Sequence, residues 1–120
     1  MDIVIDADSA VPPYEQVRMR IAELAAHGAL AAGTRLPPVR ALAAELGLAA
    51  NTVARAYREL EQAGLVETRG RAGTLVTARA ARTPAAAQQA ARRYADEVRA
   101  LGVPETTALE LVRAALRPPT

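Results

Sequence analysis

The chain has no cysteine, lysine, tryptophan or phenylalanine among its 120 residues, and its only aromatic side chains are three tyrosines. The lack of cysteine excludes disulfide frameworks and thiolate metal sites. With so few aromatic residues, a core must be built from Leu, Val, Ile and Ala, a composition that favours helices. Because there is neither a secretory leader nor a long apolar run, we expect a soluble, cytoplasmic protein without a membrane partner.

Catalytic chemistry has little support in the sequence. The single histidine, His27, stands beside Gly28 at a predicted helix end, where a positive charge suits the helix dipole. No nucleophile or metal ligand is spaced with it, and the glycines fall at turns rather than in a phosphate-binding loop. We therefore expect no enzyme activity, no metal and no cofactor.

The net charge of +2 is small, but the charge is unevenly distributed. Residues 1–34 carry two arginines against five acidic residues, a net charge of −3. Residues 35–82 carry eight against four, or +4, and residues 83–120 carry five against four, or +1. Positive charge concentrated in one segment is the pattern expected of a surface that contacts nucleic acid.

Proline and glycine divide the first half of the chain into three predicted helices. Two prolines open the first helix at its first turn, and its apolar residues recur at steps of three and four. These core-facing residues are Tyr14, Val17, Ile21, Leu24 and Ala25. Pro37 and Pro38 open a second, shorter helix that ends at Gly47, and a third helix over residues 50–63 begins within four residues. So short a link forces the two helices to cross steeply, which predicts a helix-turn-helix.

The sequence after the third helix predicts a β-hairpin. Residues 65–68 and 74–77 alternate apolar and polar side chains on either side of a glycine-containing turn. The fold class expected is therefore mainly α with a small β-hairpin wing, a winged helix-turn-helix over residues 1–77. Residues 78–83 are predicted as a linker, and residues 84–120 as a tail of two helices.

The third helix has two distinct faces when residues are placed about 100° apart. One apolar stripe, which includes Val53, Tyr57 and Leu60, must pack on the first two helices. The far side carries Asn51, Arg55, Arg58 and Gln62, with Thr52 and Glu59 at its edges. Arginine can bond guanine O6 and N7 bidentately, and asparagine or glutamine can do the same with adenine.

A polar outer face is typical of any surface helix, so the face alone does not establish DNA binding. The residue types and their place on the second helix of a helix-turn-helix favour double-stranded DNA. The alternative is a winged helix used for protein contacts without DNA. That alternative would be expected to show apolar or acidic residues on the same face.

Motifs at fixed spacing resemble the GntR family of regulators over residues 12–77. They are Pro13-Tyr14-x-Gln16; Gly28-x-Leu30-x-x-Gly33-x-x-Leu36-Pro37-Pro38-x-Arg40-x-Leu42-Ala43-x-x-Leu46-Gly47; Asn51-Thr52-Val53-x-x-Ala56-Tyr57-x-x-Leu60-Glu61-x-x-Gly64-Leu65; and Gly70-x-x-Gly73-Thr74-x-Val76. The third motif and the short tail resemble the YtrA subfamily in particular. The resemblance implies a regulator that binds a palindromic operator as a homodimer and represses its own or a neighbouring transporter operon.

The resemblance also implies roles for individual residues. Arg40, early in the second helix, would contact the operator, and the wing tip would place Arg69 in the minor groove. At the start of the recognition helix, Thr52 would contact phosphate or would only cap the helix. The full set of expected DNA-binding residues is Arg40, Asn51, Thr52, Arg55, Arg58, Gln62, Arg69, Gly70 and Arg71. One departure from the family is Ala49-Ala50, where relatives carry polar residues, so we expect weaker or differently ordered base contacts there.

The tail carries an apolar stripe on each of its two predicted helices, which flank Gly102-Val103-Pro104. Two such stripes are too small to form a core of their own, and the same tail in a second subunit is the economical partner. The resulting dimer would present recognition helices to half-sites about 34 Å apart. The expected dimerisation residues are Tyr94, Val98, Leu101, Leu109, Val112 and Leu116. An unknown small-molecule effector is left open, with no residues assigned to it.

Overall fold

The computed structural model describes residues 1–118, apart from the side chain of Ala85. The last two residues of the predicted tail lie outside the described residues. The chain divides into two compact units, Met1–Gln88 and the residues from Gln89 onward. The elements are α1 (Pro13–Ala26), α2 (Val39–Leu46), α3 (Ala50–Gln62), β1 (Val66–Thr68), β2 (Thr74–Val76), α4 (Ala78–Arg82), α5 (Ala85–Ala100) and α6 (Glu105–Ala115). The prediction of a mainly helical fold with one β-hairpin is confirmed.

The core of the first unit forms where α3 packs on α1 and α2. Its largest fully buried side chains are Ile21, Leu42, Leu60, Val17 and Val53. Full burial of an aliphatic side chain of this size contributes about 1.5–3 kcal/mol. Burial of the apolar side chains that recur along the three helices therefore stabilises the helix-turn-helix.

The turn between α2 and α3 depends on Gly47. This residue adopts the left-handed conformation, with φ +68° and ψ +33°, which carries a steric cost for residues with a side chain. The next amide, of Leu48, donates a hydrogen bond to the Ala43 carbonyl at 2.9 Å. This left-handed turn ends α2, and α3 begins at Ala50, three residues after Gly47.

The hairpin is antiparallel, with Val66 opposite Val76 and Thr68 opposite Thr74. A short 3-10 turn, Gly70–Ala72, joins its strands. The segment before α2 also pairs with β2, because the Leu36 amide donates to the Thr74 carbonyl at 2.8 Å. The wing is thereby held to the entry of the helix-turn-helix.

The structure differs from the predicted linker at residues 78–83. Ala78–Arg82 form the short helix α4, which contacts α1, and Ala80 is buried. The Thr77 hydroxyl caps this helix by accepting a hydrogen bond from the Ala80 amide at 3.2 Å. Because a cap and a buried alanine extend the core, the first unit continues to Gln88.

In the second unit, α5 and α6 are joined by the turn after Ala100. The Tyr94 hydroxyl donates a hydrogen bond to the Ala108 carbonyl at 2.7 Å and so ties one helix to the other. Among the described residues of this unit, Ala108 alone is buried. Within residues 1–118, no helix combines the length and the apolar character needed to cross a bilayer.

Candidate nucleic-acid interface

Helix α3 separates its apolar and polar residues on opposite faces. Val53, Tyr57 and Leu60 are buried in the stripe that packs on α1 and α2. Opposite them, the structure places four exposed polar side chains, Asn51, Arg55, Arg58 and Gln62. Helical periodicity alone predicted this arrangement. Their shared exposure brings together the residue types that read base edges.

The start of α3 lacks a side-chain cap. Ala49 occupies the N-cap position with extended backbone angles, and its methyl group cannot accept a hydrogen bond. Asn51 and Thr52 therefore lie inside the first turn, and neither side chain caps the helix. Among residues 1–118, neither side chain has a hydrogen-bond partner.

Arg55 contacts two side chains of the same chain. Its guanidinium lies 3.7 Å from the centroid of the Tyr14 ring, and its Nε donates to Glu59 Oε2 at 3.1 Å. Tyr14, predicted as a core residue, is instead half-buried at the edge of α1. Partial burial and the neighbouring Glu15 carboxylate raise the pKa of Tyr14, which keeps its hydroxyl protonated. This contact was not predicted from the sequence.

Arg40, Arg58 and Gln62 are exposed, and none of them has an ion pair or hydrogen bond to another described side chain. Arg40 is the second residue of α2, close to the start of that helix. Arg58 and Gln62 are one turn apart toward the end of α3. These side chains are available to a ligand without first breaking a contact within the protein.

The wing tip presents two arginines around a tight turn. Gly70 has φ +49°, a left-handed conformation that glycine adopts without steric cost. Arg71 is exposed, whereas Arg69 forms an ion pair with Glu67, Nη2 to Oε1, at 2.9 Å. An exposed pair of this kind contributes about 0–1 kcal/mol, so a phosphate can replace the carboxylate at little cost.

Arg35 is a further cationic residue near the site, and it was not among the DNA-binding residues predicted from the sequence. Its backbone forms a β-bridge with Leu75 at the base of the wing, and its side chain lies against Gly73. With Thr74 and Tyr57 it lines a cavity of about 120 Å³. The Tyr57 hydroxyl there donates to the Pro37 carbonyl at 2.6 Å, and burial raises its pKa to about 12. One feature of the sequence could have identified Arg35: it lies in the positively charged segment, directly before Leu-Pro-Pro.

The predicted dimerisation residues fall into two groups. Leu101, Leu109 and Leu116 are exposed, with 78%, 47% and 78% of their surface accessible. Tyr94, Val98 and Val112 are half-buried, and the hydroxyl of Tyr94 is used within the chain. Leu111, which was not predicted, is also exposed at 55%. The free apolar surface thus lies at the helix ends and along α6.

No group of three or more His, Asp or Glu side chains is placed to hold a metal ion in the part of the chain that the structure describes. The candidate site consists of arginine, amide and hydroxyl groups. Such groups donate hydrogen bonds to phosphate and to base edges.

Comparison with known proteins shows the family to which this chain belongs. Residues 13–76 match the family described as "Bacterial regulatory proteins, gntR family". The HTH-type transcriptional regulator Rv1152 of Mycobacterium tuberculosis is 50% identical over 88% of this chain and 86% of its own length. The HTH-type transcriptional repressor YtrA of Bacillus subtilis is 44% identical over 68% of this chain and 62% of its own length.

Solved structures give the same result. YtrA from Sulfolobus acidocaldarius, a GntR-family transcription factor, superposes with a TM-score of 0.62 at 37% identity, over 65% of this chain and 82% of that one. The DNA-binding domain of AraR, solved with the operator ORX1, shares the fold with a TM-score of 0.56 at 21% identity, over 64% and 96%. The expected resemblance to YtrA is confirmed. The chain belongs to the GntR family and is a DNA-binding transcription regulator, not an enzyme.

Proposed function

We propose that this regulator is a cytoplasmic repressor that binds a palindromic operator as a homodimer and acts on its own or a neighbouring transporter operon. The observation that carries the proposal is the exposed face of α3, where Asn51, Arg55, Arg58 and Gln62 stand opposite a fully buried stripe. The Bacillus subtilis relative YtrA is a transcriptional repressor, which supports the sign of regulation.

The exposed residues divide by the part of the duplex they would contact. The four polar residues on the outer face of α3 would read base edges in the major groove. Arg40 and Thr52, near the starts of α2 and α3, would bind phosphates. Arg69 and Arg71, on either side of Gly70, would enter the minor groove, whose negative potential favours arginine.

The tail supports the homodimer. Leu101, Leu109, Leu111 and Leu116 expose apolar surface in a unit that buries almost nothing by itself. An exposed apolar surface of this kind favours association, and two-fold dimers are the commonest soluble assemblies. A second copy of the tail is the occupant we propose. Tyr94 would act indirectly, by holding α5 against α6.

DNA binding is tested by fluorescence anisotropy with a palindromic fragment from the gene's own promoter. Affinity should fall steeply as salt rises, because each neutralised phosphate releases counterions. Arg55→Ala should relax sequence preference at one base pair in each half-site, whereas Arg71→Ala should weaken binding to all sequences alike. Equal effects of the two substitutions, or binding that is independent of salt, would contradict the assignment.

The dimer is tested by sedimentation equilibrium of the full chain. Leu101→Glu and Leu116→Glu should each raise the dimer dissociation constant at least about 30-fold, the loss typical of an interface hot spot. Thr106→Glu, at an exposed polar position of α6, is the matched control and should leave the constant unchanged. If both leucine variants dimerise as tightly as the unmodified protein, the dimer interface does not include these leucines, and the proposed tail dimer is wrong.

A further inference from the structure

Four side chains form a continuous cluster between α1 and α3, which we term the bracing cluster: Tyr14, Arg18, Arg55 and Glu59. Tyr14 and Arg18 are one turn apart on α1, and Arg55 and Glu59 are one turn apart on α3. Glu59 binds Arg55 through Oε2 and the Arg18 guanidinium through Oε1. Both carboxylate oxygens are therefore used, and the carboxylate is fixed from two sides.

The cluster restrains the Arg55 guanidinium in two directions. The Tyr14 ring covers one of its faces at 3.7 Å, and Glu59 holds its Nε at 3.1 Å. Among the described residues, nothing forms a hydrogen bond with its two Nη nitrogens. The side chain remains 53% exposed. The guanidinium is thus held at Nε and on one face, and its two Nη nitrogens are left free to donate hydrogen bonds.

This geometry suits the recognition of guanine. A bidentate contact requires two guanidinium nitrogens to meet O6 and N7 of one base, both in the plane of the base pair. A long arginine side chain has many rotamers, so most of its orientations do not satisfy this requirement. Because Arg55 is restrained before DNA binds, its side chain loses less conformational entropy on binding.

We propose that Tyr14 and Glu59 are positioning residues for Arg55, and that Tyr14, which lies outside the helix-turn-helix, thereby determines sequence specificity. The proposal rests on the base-reading role assigned to Arg55 above. Arg18 acts one step further away, because it fixes the carboxylate of Glu59. Neither Tyr14 nor Glu59 needs to touch DNA for this effect.

Competition binding with the full-length protein tests the proposal. Single-base substitutions across the operator first identify the base pair whose preference disappears in Arg55→Ala. Tyr14→Leu should reduce preference at that same base pair by about 2- to 5-fold, as expected when an exposed cation–π contact is lost. Tyr14→Phe keeps the ring and is the matched control, so it should retain the preference. In an Arg55→Ala background, Tyr14→Leu should have no further effect on that base pair.

Glu59→Gln is a second probe that keeps the side-chain volume, and it serves if Tyr14→Leu does not fold. It should weaken preference at the same base pair. The NMR signal of the Arg55 Nε–H group in the DNA-free protein gives an independent readout. Its ring-current shift should persist in Tyr14→Phe and disappear in Tyr14→Leu, with the signals of arginines outside the bracing cluster unchanged.

The possible outcomes separate this inference from the proposed function. If Arg55→Ala leaves every base preference intact, the base-reading role of Arg55 fails, and the inference that rests on it fails with it. If Arg55→Ala removes one preference but Tyr14→Leu and Glu59→Gln leave it unchanged or weaken all DNA equally, only the positioning role is overturned. If both variants lose preference only at the base pair that Arg55 reads, the positioning role is supported.

Discussion

Replacement of Gly73 by alanine should destabilise the wing more than replacement of any glycine that has open space around it. Gly73 has φ +83° and ψ −155°, a combination essentially restricted to glycine. A Cβ atom at this position would also lie 2.8 Å from Arg35 Nε. The substitution therefore tests the backbone of the wing and the placement of Arg35 together.

The magnitude follows from these two effects. Forcing a residue with a side chain into this conformation costs on the order of 1–3 kcal/mol. The lower entropy of alanine in the unfolded chain offsets about 0.4–1 kcal/mol of that. The Arg35 side chain must also move aside, and because it is flexible this adds a smaller cost, which glycines with open space around them do not carry. A net loss of about 1–2 kcal/mol should lower the Tm by roughly 4–16 °C in a domain of this size.

Urea denaturation followed by circular dichroism measures the loss of stability, and an unchanged m-value shows that the folded state remains compact. Gly28→Ala is the matched control, because Gly28 has the same φ of +83° and nothing within 4 Å of an added Cβ. The control should lose less stability and keep full DNA affinity. Gly73→Ala should bind all DNA more weakly, since Arg35 is displaced. A loss no larger than that of Gly28→Ala would refute the reasoning.

Three further predictions concern the helix start, the base of the wing and the buried tyrosine. Ala49→Ser supplies the missing cap of α3, and the free energy of unfolding in urea should rise by about 1 kcal/mol; no gain would mean that the cap position is misassigned. Arg35→Ala should weaken binding to operator and to unrelated DNA by the same factor, and should reduce the slope of log affinity against log salt by about one, as measured by anisotropy. A loss of affinity for operator alone would mean that Arg35 contacts a base. Because burial raises the pKa of Tyr57 to about 12, the folded state keeps its proton longer than the unfolded state does. Unfolding free energy should therefore fall between about pH 10 and pH 12, and this part of the decline should be absent in Tyr57→Phe.

Local signals in the sequence were sufficient for the helix-turn-helix and its outer face. The periodicity around Val53 and Leu60 allowed one buried stripe, and that stripe determined which side of α3 faces outward. Gly47 marked the end of α2 because few other residues adopt its conformation. Both signals act within a few residues, so they can be read without knowing how the chain folds back on itself.

The partners of the functional side chains could not be read in this way. Tyr14 was predicted in the core, because a tyrosine on an apolar stripe is typical of a buried position. It lies instead at the edge of α1, where the crossing of α1 and α3 brings it against Arg55. Likewise, the alanine-rich residues 78–82 gave no sign of the burial of Ala80, which depends on the position of α1.

The sequence by itself therefore determined the helix-turn-helix, its wing, the polar face of the recognition helix, the family and the class of ligand. Only the tertiary structure decided which residues of α1 brace that face and that Arg35 lies against Gly73. The physical reason is the range of the interactions. Periodicity, caps and turns depend on neighbouring residues, whereas a cation–π contact or an ion pair between elements depends on the angle and offset at which the elements pack.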